Sequence, residues 1–161
     1  MVDEANTGPR GLGGWLILPI LGLIVSPFTI GLTLVRDILP IFGDGTWEML
    51  TSPSSELYHP LWEPLIWLEL AGNVLLITLA LVTLWFVFTK SRLAPRMMIA
   101  WLVFGALFVA ADFVLAERIP MIAEQPADPD SVRDLIRTFV GAAIWIPYLL
   151  VSKRVRATFI K

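Results

Sequence analysis

Four long apolar runs, separated by polar or proline-rich stretches, set the plan of this chain. They cover about residues 15–35, 65–89, 97–116 and 134–151. A helix needs about 20 mostly apolar residues to cross the hydrocarbon core of a bilayer. Each run meets that length, and none has the wide polar face of an amphipathic surface helix. The first run has a weakly charged start, contains Pro19 and Pro27, and lacks a small-residue cleavage pattern. It reads as a retained span rather than a signal peptide. The pattern predicts an all-α membrane protein, a four-transmembrane-helix bundle. No internal repeat is visible, so an inverted-repeat transporter is not supported.

Lys and Arg orient the spans, because basic residues concentrate in cytoplasmic loops. Arg10, Lys90, Arg92, Arg96, Lys153, Arg154, Arg156 and Lys161 fall on one side, against Arg36, Arg118, Arg133 and Arg137 on the other. The second side also carries ten acids. The asymmetry predicts an N-in, C-in topology. The connection of residues 36–63 holds Pro40, Gly43, Gly45, Pro53 and Pro60, so no long helix is expected through it. Trp47, Tyr58 and Trp62 suit a membrane interface, and the segment is expected to form an outer, periplasmic loop cap between the first two spans. Residues 119–130, with three prolines, read as an extended loop. Ser131 and Asp134 resemble a capping box opening the last helix. Residues 1–10 read as a flexible tail, and 11–161 as a single four-helix transmembrane domain.

Small and polar residues mark helix contacts in lipid. Gly22, Ser26, Thr29 and Thr33 share one face of the first helix, and Ser26 is placed to help satisfy the carbonyl freed by Pro27. Gly105 and Asp112 share a face of the third helix. Arg137, Gly141, Tyr148 and Ser152 line up on the fourth. The simplest reading of these faces is helix packing.

The ionisable residues inside the spans are the sharper signal. Glu69 lies five residues past Pro64, about 7–8 Å into its helix at 1.5 Å per residue. Asp112 and Arg137 come out at a similar depth, and Asn73 shares the face of Glu69. A charge exposed to lipid costs several kcal/mol, so these groups should face one another or water. Glu69, Asn73, Asp112 and Arg137 are therefore the candidate intramembrane polar cluster. Two carboxylates and one arginine leave one surplus negative charge. A structural clasp, a proton- or cation-handling site, and a polar pocket for a small ligand, lipid headgroup or quinone all remain open.

Composition narrows the chemistry. Hydrophobic residues make up 57% of the 161-residue chain and the net charge is −2, which gives no reason to expect nucleic acid as a partner. Without cysteine there are no disulfides, thiolate metal sites or iron–sulfur clusters. One histidine, His59, excludes a bis-histidine haem within the chain. It reads as a loop hydrogen-bonding residue, not a metal ligand. Gly11-Leu12-Gly13-Gly14 precedes a membrane helix rather than linking strand to helix, so it is no nucleotide fingerprint. It reads as a flexible lead-in with Trp15 at the interface. No serine has a nucleophile-elbow setting, and the flanks of Glu69 and Asp112 lack the motif of intramembrane aspartyl proteases. The sequence thus offers no catalytic residues, no metal ligands and no cofactor site.

Gly13-Gly14-Trp15-Leu16 opens the first helix. His59-Pro60-Leu61-Trp62 precedes the second, which carries Glu69 and Asn73. Ile144-Trp145-Ile146-Pro147-Tyr148 is followed by Ser152-Lys153-Arg154-Val155 and Thr158-Phe159. Over nearly the whole chain these elements resemble a bacterial family of small four-helix inner-membrane proteins classed as a domain of unknown function. The resemblance implies the four-helix fold and an inner-membrane location, and it carries no activity. The expected function is a non-enzymatic accessory or interaction module of a membrane complex, with lipids and a protein partner or a second copy as partners. The alternative is a small-solute, lipid or proton-coupled transport component using Glu69, Asp112 and Arg137.

Overall fold

The structure, a computed structural model, describes residues 11–126 and 129–160. The tail expected over residues 1–10 lies outside them. Among the described residues, four helices are long and apolar enough to cross a membrane: Gly14–Phe42, Trp62–Phe88, Ala94–Ala116 and Pro129–Val151. The described residues contain no strand. Only 6–28% of each apolar window is buried within the protein, so most apolar side chains face lipid.

The spans begin earlier than hydropathy alone predicts, because proline is tolerated where backbone N–H groups have no intrahelical partner. Pro64 falls in the first turn of α3 (Trp62–Phe88), Pro95 in that of α4 (Ala94–Ala116), and Pro129 opens α6 (Pro129–Val151). The last start overturns the capping box: Ser131 already lies inside the helix. The stretch read as an extended loop likewise contains a short helix, α5 (Pro120–Ala123).

The first span is compound. A single 3₁₀ turn (Gly14–Leu16) leads into α1 (Ile17–Thr33), followed by a π turn (Leu34–Ile38) and a 3₁₀ turn (Leu39–Phe42). Helical backbone therefore runs through Arg36 and Asp37, which the sequence assigned to the connection. In α1 the Ser26 hydroxyl donates to Gly22 O at 2.7 Å, its own i−4 carbonyl, rather than to the Leu23 carbonyl that Pro27 frees.

α3 packs against α4, α4 against α6, and α1 against α3. α1 and α6 do not pack along one another, so the bundle is an open row whose outer members stand apart. The α3–α4 seam is tight: a Cβ on Gly72 would overlap the Phe108 ring. The two helices join through a short turn in which Lys90 takes a left-handed φ of 55°. Ser91 N bonds Phe86 O at 3.0 Å and Lys90 N bonds Val87 O at 3.1 Å, the double closure of a Schellman motif.

At the Gly11 end the row closes. Leu16, Ile20 and Leu23 of the first span meet Ala80 and Val87 of α3, Ala94 and Met98 of α4, Leu149 of α6, and Val155 and Phe159. The last two belong to or follow α7 (Lys153–Thr158), a short helix capped by the Ser152 side chain, which accepts from Val155 N. Arg156 donates to Val151 O at 3.0 Å, satisfying a carbonyl at the end of α6. Gly11 N donates to Thr158 Oγ1 at 3.0 Å, and the same hydroxyl lies 3.3 Å from Gly11 O. A Cβ on Gly14, whose φ is +64°, would sit 3.0 Å from the Arg154 guanidinium carbon. The glycines read as a flexible lead-in are instead packed under α7. The two most distinctive sequence elements, Gly-Gly-Trp-Leu and the closing Ser-Lys-Arg-Val-x-x-Thr-Phe, form one latch.

At the opposite end, residues 39–61 hold a short helix, α2 (Thr46–Thr51). Phe42, Trp47 and Trp67 form an aromatic cluster with centroids 5.1–6.1 Å apart. Trp62 Nε1 donates to Leu57 O at 3.2 Å, and Leu61 N donates to His59 Nδ1 at 3.3 Å, giving His59 a hydrogen-bonding role in the loop. Asp44 Oδ1 accepts from Thr46 N at 2.9 Å. The Thr46 hydroxyl and amide hold the Asp44 carboxyl below its ordinary value. This segment packs on α3 and on the end of the first span.

Candidate functional site

Between the separated outer helices lies a cavity of about 910 Å³. Each wall is one helical stripe. From the first span come Gly22, Ser26, Thr29, Thr33 and Asp37. From α3 come Glu69, Asn73 and Leu76, from α4 Trp101, Gly105 and Asp112, and from α6 Asp134, Arg137, Thr138, Gly141 and Trp145. None of residues 39–61 lines it. Trp101 donates from Nε1 to Leu76 O at 3.2 Å, tying α4 to α3 with both residues in the cavity wall. Met98 belongs both to this wall and to the closed apolar core, so the cavity ends where that core begins.

All four candidate residues, Glu69, Asn73, Asp112 and Arg137, line this one space. Glu69 and Asp112 are in direct interaction, and Asp37 adds its charge to Glu69. Asp112 Oδ1 is buried with no hydrogen-bond partner in the protein. Arg137 does not bridge the carboxylates: the only ion pair between described residues joins Arg133 to Asp130, at 3.5 Å. Arg137 is exposed and lines the cavity. No three His, Asp or Glu side chains among the described residues are grouped to hold one metal ion. The acids are strung along the walls rather than gathered on one point.

Two lining acids were missed from sequence. Asp37 and Asp134 were counted with the polar connections, yet spacing could have found them. Asp37 is four residues beyond Thr33, continuing the stripe that begins at Gly22. Asp134 is three before Arg137. The glycine faces also need correction. A Cβ on Gly22 or Gly141 would meet nothing within 4 Å, so these faces border the cavity instead of a neighbouring helix. The glycine that does serve close packing, Gly72, lies between Glu69 and Asn73 and belongs to none of the stripes picked out from sequence.

The helices and cleft define a polytopic membrane protein of the four-helix class, with a polar cleft between its first and last spans. Residues 9–160 match the family described as Protein of unknown function (DUF2569), and the chain belongs to that family. It is 28% identical over 160 residues to the inner membrane protein YdgK of Escherichia coli (strain K12), an alignment covering 96% of this chain and 97% of that one. No solved structure matches. The chain is a multi-pass protein of the bacterial inner membrane whose outward apolar surface contacts lipid.

Proposed function

We propose that this protein is a non-enzymatic accessory module of the inner membrane and that it works by binding an occupant in the cleft between α1 and α6. The observation that carries the reading is the use made of the polar stripes. In a self-sufficient bundle, Ser26, Thr29, Thr138 and Gly141 would pack against other helices, because polar surface facing lipid is costly. Here they line a space together with five charged side chains. The test is a photo-crosslinking amino acid introduced at Thr29 or Thr138 in intact cells, with Leu81 and Trp85, exposed on α3, as outward controls. Discrete adducts at the cleft positions alone are expected. Equal, featureless labelling at all four positions would overturn the reading.

The transport alternative draws on the Glu69–Asp112 pair beside a buried, unpartnered Asp112 oxygen. It requires a second conformation in which the Leu16–Val155 core parts. Purified protein in vesicles that dissipates a pH gradient, and stops doing so as Glu69→Gln, would favour it. The binding-module reading expects no flux. The basic asymmetry of the connections supports N-in, C-in, placing the cleft end on the periplasmic side. In a chain without native cysteine, Ser54→Cys should react with an impermeant reagent from outside and Thr89→Cys should not. The reverse pattern would invert the orientation.

A further inference from the structure

We propose that the occupant of the α1–α6 cleft is a phospholipid with a primary ammonium headgroup, held by both of its charges. This rests on the binding-module reading above and names its ligand. Three features of the cleft converge on it.

The first is the arrangement of charge. Glu69 and Asp112 interact directly, Asp37 adds to the same field, Asp134 also lines the space, and among the described residues the only cation lining the cavity is Arg137. Arg137 forms no ion pair with any of these acids. A guanidinium left apart from carboxylates in the same cavity matches a ligand that carries both signs: an ammonium for the acids and a phosphodiester for the arginine, which binds phosphate through its planar donor fork. A simple cation would not use Arg137, and an anionic headgroup would meet the acids.

The second is Asp112. Its Oδ1 is buried and accepts no hydrogen bond, although buried polar atoms are nearly always paired. A primary ammonium brings three donors, enough to engage the Glu69 and Asp112 carboxyls that line the cavity together, once the Asp112 side chain turns its unpaired oxygen toward the ligand. A trimethylammonium brings none.

The third is shape. The cavity is bounded on two sides by helices that do not pack along one another. Its wall on α1 also includes the apolar Leu18, Leu21 and Val25, all exposed. A headgroup can sit at the level of Glu69 and Asp112 while acyl chains follow the apolar wall and leave between α1 and α6. A volume of about 910 Å³ is in the range of sites that enclose most of a drug-sized ligand.

The full-length protein, delipidated in mild detergent, is titrated with phosphatidylethanolamine, phosphatidylcholine or phosphatidylglycerol of matched chains and read by native mass spectrometry. One tightly retained phosphatidylethanolamine is expected, with at least a five-fold preference over the other two. Glu69→Gln with Asp112→Asn should erase the preference for the amine. Arg137→Gln should weaken retention of phosphatidylethanolamine and phosphatidylcholine alike. Because changes in buried charge can disturb folding, Gly141→Leu serves as an independent variant. Nothing lies within 4 Å of its added Cβ and Gly141 lines the cleft, so the larger side chain projects into the lipid's space, and it should abolish the single retained lipid in a protein that melts near the native temperature. Equal retention of all three lipids, or a preference that survives both the acid changes and Gly141→Leu, would overturn the inference. So would crosslinking from Thr138 to a protein rather than to lipid, although that outcome leaves the binding-module reading standing. Absence of any cleft-specific adduct would remove both.

Discussion

The two ends of this bundle solve the same problem differently. At the Gly11 end, four helices and the α7 latch bury an apolar core that includes Leu16, Leu23, Val87 and Val155, each no more than 1% exposed. At the Asp37 end, the same helices carry Ser, Thr, Asn and five charged residues on their inward stripes, and the outer two helices stand apart. Lipid provides no hydrophobic drive for helices to associate, so tight packing must hold them. The closed end supplies that packing. It allows the other end to keep polar walls apart, which would otherwise need partners of their own. Tight apolar packing and unpacked polar walls are thus divided along the length of the same helices.

The largest expected contrast is between two glycines. Gly72→Leu places atoms in the Phe108 ring and should weaken the α3–α4 seam by about 3 kcal/mol, an overpacking cost with no room to relax. Gly141→Leu adds the same side chain to a helix facing the cleft, and should change stability by no more than about 1 kcal/mol in either direction. Thermal unfolding in detergent checks both. Similar losses would mean that α6 closes onto α1 and that the cleft is not an open space.

Next comes the latch. Phe159 is 5% exposed within the closed core. Phe159→Ala should cost about 2–3 kcal/mol, below the usual range for a buried aromatic because lipid or detergent can refill part of the space. Ile160, its exposed neighbour, should tolerate alanine. A small effect at Phe159 would show that α7 is an adornment and that the apolar core stands without it.

Much of this was legible in the sequence, for a physical reason. Membrane-crossing helices satisfy their own backbone, so length and hydropathy suffice to find them, and all four spans were found. The starts were displaced because first-turn residues were left to the connections: Pro64 marked the start of its helix, though helical backbone already begins at Trp62, and Pro129 was read as part of a loop, though it opens α6. The cleft was half visible. Glu69, Asn73, Asp112 and Arg137 could be grouped by depth, since helix rise is fixed. Whether a stripe of small residues meets a helix or a space depends on how far apart the helices stand, which no single stripe encodes. Gly22 and Gly72 are the same residue on two membrane-spanning helices, yet one borders a cavity and the other an aromatic ring. The latch was hidden for another reason: Gly11 and Thr158 are 147 residues apart, and each motif was read alone.

A smaller effect is expected at Thr158. Its hydroxyl interacts with both the amide and the carbonyl of Gly11, at 3.0 and 3.3 Å, and also donates to Arg154 O at 2.7 Å. Thr158→Val keeps the shape and removes these bonds, for a loss of about 1–2 kcal/mol. The change should free the Gly11–Gly14 backbone without loosening the cleft. Hydrogen exchange at Gly11 should accelerate while exchange around Asn73 does not. If both respond, the two ends are coupled, and the latch reaches the cleft.

The smallest effect belongs to Asp44, outside the spans. The Thr46 hydroxyl and amide favour its charged form and hold its carboxyl below the ordinary value. A carboxyl depressed in the folded state stabilises that state above its unfolded value, and the contribution fades as pH falls through the folded value. Asp44 is fully solvated, so the gain is local and too small to move the melting temperature. Its expected readout is protection of the Thr46 and Trp47 amides, which should fall in acid for the native chain. Asp44→Ala should show the lower protection at every pH. Asp44→Asn, which keeps an acceptor but cannot titrate, should show no acid-dependent step. Residues 39–61 pack on α3 and line none of the cavity, so loosening α2 this way should leave lipid retention in the cleft unchanged. If retention falls with the protection of Thr46, the segment lies over the bound headgroup, and the open end is less open than its walls suggest.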